Sequence, residues 1–176
     1  MTEDEVYNVN ATSLSGVNGE LAKACLYIIN AVKNDGYLLI VAEGYRTPEQ
    51  QDIYYAQGRT TPGPIITQLR GNQGKHTKGQ AVDFDFVING EQSNANGNPW
   101  NIIGRHAHEV GLSWGGDWSS LKDYRHVEMP TSAYTAPSFA NNSLPESDYV
   151  PNSDSGGGLN IALVVGVLLA VWLLTE

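Results

Sequence analysis

Two of the four histidines in this 176-residue chain stand where a metal could use them. His76 closes a glycine-rich stretch and is followed seven positions later by Asp83, in G-K-H-T-K-G-Q-A-V-D. His126 lies in D-Y-R-H-V-E, between Asp123 and Glu128. Two imidazoles and one carboxylate, with a fourth position open, are a ligand set for catalytic zinc, whose bound water loses a proton near neutral pH. The rival reading is two structural histidines and a solvated Asp83. His106 and His108 are two apart on a helical stretch and cannot share a face, so they read as surface or capping residues. Cys25 is the only cysteine, which excludes an intrachain disulfide and a thiolate zinc site. It repeats with Leu21, Ala24, Ile28 and Val32 at helical spacing, the setting of a packing residue rather than a nucleophile.

For these groups to meet, the chain must bring a loop end and two strands to one point. Apolar residues predict a helix from Gly19 to Lys33, closed by Asn34-Asp35-Gly36. Tyr37–Ala42 reads as a buried strand. Thr47, Pro48 and Gln50 have the spacing of a capping box with proline in the first turn, and start a helix that stops at Gly58. Residues 59–80, rich in Gly, Thr and Pro, must form a long loop ending at His76. Ala81–Ile88 alternates, with Val82, Phe84, Phe86 and Ile88 on one face and Ala81, Asp83 and Asp85 on the other. A helix over 99–110 and a last alternating strand near Tyr124–Met129 complete an α+β domain, because the strands lack a βαβ rhythm.

Length fits one domain plus a tail. A formal charge of -9 argues against a nucleic-acid partner, which needs clustered Lys and Arg. It also gives no general attraction to any polyanionic polymer, so recognition of one must be local. Residues 1–15 are expected to form a loose arm, and MTEDEVYNVN shows no cleavable export signal. The domain is expected over 16–130 and a flexible linker over 131–158. Residues 159–175 read as a hydrophobic helix: its 16-residue apolar part, Leu159–Leu174, would span about 24 Å, a borderline membrane anchor. A hydrophobic helix docking on a partner is the alternative.

Around these residues the sequence resembles the zinc D,D-carboxypeptidases and L-alanyl-D-glutamate endopeptidases, the peptidase family M15 that includes VanX- and VanY-type enzymes and phage endolysins. The resemblance runs through G74-K-H76-T-K-G79-Q-A81-V-D83, D123-Y-R-H126, G-Y-R46-T-P-E-Q-Q51 and L-x-W114-G115-G116-D-W118, in consistent order over residues 20–129. It implies a D,D-peptidase-like fold, with a small antiparallel sheet and flanking helices. It implies zinc on His76, Asp83 and His126, Asp123 as general base and Arg46 as stabiliser of the tetrahedral oxyanion. Arg46 could instead simply pair with Glu43. Asp85 is a rival ligand. Glu128 is either a residue orienting a ligating histidine or a rival base. Gln51 is expected beside Arg46, and Trp114 and Trp118 are expected to wall the cleft or fill the core beneath it. Where the family carries serine two positions before the first histidine, this chain has Gly74, which leaves the metal site intact and bears on substrate preference.

The expected activity is hydrolysis of peptidoglycan stem peptides between L-Ala and D-Glu, with D-alanyl-D-alanine carboxypeptidase as the alternative. A non-catalytic wall-binding or virion protein on the same fold would be expected to lack a ligand or the base, and none is missing. With the apolar tail, the expected location is membrane-associated, in a phage virion or at the bacterial envelope.

Overall fold

The computed structural model describes residues 1–138. In chain order these form α1 (Glu3–Ser13), α2 (Gly19–Asn34), β1 (Leu38–Glu43), α3 (Pro48–Ala56), β2 (Ala81–Ile88), β3 (Glu91–Ser93), α4 (Asn101–Glu109), β4 (Ser113–Trp114) and β5 (His126–Glu128). The sheet is antiparallel, in the order β1-β2-β5-β4, with β3 also paired to β2. The α+β expectation holds. Strand β2 is the axis of the sheet: Ala81–Asp83 pair with β5, Phe86–Ile88 pair with β3, and β1 runs along the other edge.

Helices α2 and α4 pack against each other. Leu21, Ala24, Cys25, Ile28 and Val32 of α2 are all fully buried, as their spacing predicts. Burial of the Cys25 thiol raises its pKa beyond the usual range, which removes it as a nucleophile. Phe84 and Phe86 are buried too, and the Phe86 ring meets Trp100 edge-to-face at 5.2 Å.

Residues 1–15 are not a loose arm. Thr2 and Glu5 form a capping box, and α1 packs Val6 against Ile40 and Val87. Its buried Asn10 acts like a short piece of strand. The side-chain amide donates to the Leu39 carbonyl (3.0 Å) and accepts from the Val41 amide (2.6 Å). Both groups lie on the edge of β1 that faces away from β2, so the amide satisfies an otherwise open sheet edge. This explains why α1 escapes a reading based on apolar spacing: one of its two buried helical positions is polar.

The linker expected from residue 131 begins as docked chain. The Tyr134 hydroxyl donates to the Val110 carbonyl (2.6 Å), and the Ala136 amide donates to Glu20 (3.0 Å). No helix among the described residues is long and apolar enough to cross a membrane. The rest of the expected linker and the hydrophobic segment at 159–175 lie outside the described residues.

Candidate metal centre

His76 and Asp83 converge because the chain between them folds back through a tight turn. His76–Lys78 is a single 3-10 turn, ended by Gly79 in the left-handed region (φ 64°), whose amide donates to the His76 carbonyl. A Cβ at Gly79 would stand 2.7 Å from the Gly16 carbonyl oxygen, so both conformation and space require glycine. Asp83 then pairs directly with His126 across β2 and β5, which puts their side chains on one face of the sheet. The turn before β5 is equally tight: a Cβ at Gly115 would meet the Asp123 carbonyl oxygen at 2.3 Å.

The result is one cluster. The Asp83 Oδ1 atom lies 2.9 Å from His126 Nδ1 and 3.4 Å from His76 Nε2. One ligand atom from each of the three residues lies within 4.8 Å of the others. The remaining ring nitrogens face away, toward fixed acceptors. His76 Nδ1 is 2.9 Å from the Gly44 carbonyl, and His126 Nε2 is 3.2 Å from Glu128 Oε2. A carbonyl can only accept, so His76 carries its proton on Nδ1 and offers Nε2 to a metal. Glu128 holds the His126 proton on Nε2 in the same way, leaving Nδ1 as the ligand atom. Two imidazoles oriented from outside, with a carboxylate between them, fit a four-coordinate metal with one position open. All three side chains are largely shielded from water.

The electrostatics follow from this packing. Burial works against charge on Asp83, but hydrogen bonds from His126 and His76 outweigh it and hold the carboxyl well below its usual range. Burial would also lower the His126 imidazole, yet Asp83 and Glu128 raise it to about 9.

The other expected residues are distributed around this cluster. Arg46 is bound to Glu43 at two points, Nε–Oε1 2.6 Å and Nη2–Oε2 2.5 Å, and stacks over the Tyr54 ring. The pairing with Glu43 is therefore real. Glu43 stands opposite Asp83 in the β1–β2 register, so the ion pair lies one strand away from the cluster. Gln51 is fully buried and its Oε1 accepts from Arg46 Nη1 at 2.6 Å, beside Arg46 as expected. Trp118 walls the site, with its ring centroid 5.2 Å from that of His126. Trp114 fills the space beneath: its ring lies over Gly104 and Gly116, and its Nε1 donates to the Tyr124 carbonyl.

Asp123 is half-buried, three residues before His126, and its carboxylate accepts from the Arg125 amide at 3.3 Å. Asp85 is not among the three converging residues. It is buried 2.6 Å from Arg125 Nε and accepts from Gln92. His106 joins Asp35 to Glu109, and His108 pairs with Asp117; both roles are structural. In the sequence Glu43 reads only as a partner for Arg46, and nothing marks the Gly44 carbonyl that holds His76. Glu43 is legible three residues before Arg46, whereas the Gly44 carbonyl carries no local signal, because His76 reaches it only when the loop folds back.

Residues 68–129 match the peptidase M15 family described as D-alanyl-D-alanine carboxypeptidase. The chain is 36% identical over 110 residues to the peptidoglycan L-alanyl-D-glutamate endopeptidase CwlK of Bacillus subtilis (strain 168), an alignment covering 56% of this chain. The chain thus spans 65% of the length of that curated relative. The crystal structure of the Serratia marcescens L-Ala D-Glu endopeptidase ChiX superposes with a TM-score of 0.50 at 22% identity, covering 69% of this chain and 86% of that one. VanY, a D,D-pentapeptidase of a VanB-type vancomycin resistance cassette solved with Zn(II), gives 0.49 at 19% identity, over 64% and 72% of the two chains.

Proposed function

We propose, from the premise that this domain belongs to the peptidase M15 family, that the chain is a zinc endopeptidase of peptidoglycan stem peptides, cutting between L-Ala and D-Glu. The observation that carries this reading is the convergence of His76, Asp83 and His126 on one point, with both outer ring nitrogens already anchored. Zinc held there would supply Lewis acidity, polarising the scissile carbonyl and making water acidic near neutral pH. Asp123 takes the proton of the attacking water and passes it to the leaving amine. Arg46 spends three of its five N–H groups on Glu43 and Gln51, and the remaining two stabilise the oxyanion that forms at the carbonyl. Glu128, already bonded to His126, holds that ring in place. Trp118 bounds the cleft and shields the site from water.

The curated relative supports the L-Ala–D-Glu bond; the description of the matched family supports removal of a terminal D-Ala as the second reading. Digestion of purified muropeptides, with fragments identified by mass, separates the two. In the same assay Asp123→Ala is expected to lower turnover at least about 100-fold, and full activity in that variant would remove Asp123 from the mechanism.

The same proposal gives the C-terminal apolar segment, 159–175, the role of holding the peptidase at a membrane, in a virion or at the bacterial envelope. Its composition supports this, since residues 156–175 carry no charge.

A further inference from the structure

The long loop before His76 is tied to α3 at three places. Arg59 Nη1 donates to the Tyr55 and Thr67 carbonyls, and Asp52 accepts from the Gly71 amide at 3.0 Å. The third tie is Gln51. Its Nε2 donates to Thr67 Oγ1 (3.0 Å) and to the Leu69 carbonyl (2.7 Å), while its Oε1 faces Arg46 (2.6 Å). The amide cannot be turned over: Leu69 offers only an acceptor and the guanidinium only donors. Gln51 is 1% exposed, so no water can replace either partner. The Leu69 side chain in turn borders Gly74, where an added Cβ would lie 3.7 Å from Leu69 Cδ1 and 3.8 Å from Gln51 Oε1.

We infer that Gln51 is a positioning residue that makes the aim of Arg46 depend on the docked state of the 67–70 segment. When Leu69 and Thr67 hold its NH2 group, its carbonyl is fixed on Nη1, and Glu43 fixes the other side of the guanidinium. The two free N–H groups then point in one direction. If the segment lifts, the amide loses its anchor and Arg46 keeps only Glu43, about which the plane can tilt. The inference rests on the proposed oxyanion role of Arg46 and adds the loop to it.

The test is a double-mutant cycle on the full chain, using a synthetic stem peptide containing L-Ala-D-Glu as substrate. Gln51→Met, close in size, is expected to lower kcat roughly 10- to 100-fold with KM nearly unchanged. That loss should largely vanish in an Arg46→Ala background. Zinc content should not change. Thr67→Val, which keeps Gln51 but removes one of its anchors, should lower kcat in the same direction by a smaller factor; it also serves if Gln51→Met does not fold. Equal losses from Gln51→Met in both backgrounds, or unchanged kcat in Thr67→Val, would overturn the coupling. An Arg46→Ala variant as active as the parent would instead overturn the oxyanion role itself.

Discussion

His126 governs how the centre exchanges protons for metal. In the metal-free protein its imidazole is raised to about 9 because Asp83 and Glu128 outweigh burial, so the ring is charged at neutral pH. Zinc needs it neutral and must displace the proton. Apparent zinc affinity should therefore climb about tenfold per pH unit from about pH 7 to 9, with about one proton released per ion. Calorimetry in buffers of different ionisation heat counts that proton, and an affinity independent of pH would contradict the arrangement. The linkage has a second consequence for the metal-free protein. A raised histidine adds stability that is full below its unfolded value and fades as pH rises through about 9. Glu128→Ala removes the partner of Nε2, and zinc affinity compared above about pH 9, where the ring is neutral in both proteins, should fall roughly 10- to 100-fold as the imidazole loses its anchor.

At the scale of elements, close approach of backbone and indole builds the floor of the site. A Cβ at Gly104 would meet the Trp114 ring at 2.4 Å. Alanine normally favours a helix over glycine by about 1 kcal/mol, yet Gly104→Ala in α4 should destabilise by about 1–3 kcal/mol because the ring must move. Urea unfolding measures this, and a stabilised variant would show that the indole is not held there. Asn10→Ala should cost about 1–3 kcal/mol by stranding the Leu39 carbonyl and the Val41 amide. These two cases mark what the sequence makes legible. The α3 start is readable because Thr47, Pro48 and Gln50 act on one another within one turn, and the capping box is present. The His76–Asp83 approach is readable because Gly79 sits between them. The burial of Asp85 is not, since Arg125 reaches it from the turn before β5 and Gln92 from β3, across the hairpin that follows β2. Nor is α1, whose Asn10 has meaning only beside an open strand edge.

Over the whole molecule, the proposed function divides between the peptidase domain and the apolar terminus. All ten Lys and Arg residues lie between positions 23 and 125, so the anchor proposed for residues 159–175 would rest on apolar area without electrostatic attraction. A chain ended at residue 138 should keep its activity on soluble muropeptides and leave the membrane fraction that holds the full chain; equal partitioning of the two would refute the anchor. The central claim is that zinc on His76, Asp83 and His126 drives cleavage of the stem peptide. It is tested most directly by mass spectrometry of muropeptides after digestion with chelator-treated and zinc-restored protein. The expected result is a fragment newly beginning at D-Glu, absent after chelation and recovered with zinc. Intact stem peptides under both conditions, or the same fragment in both, would contradict it.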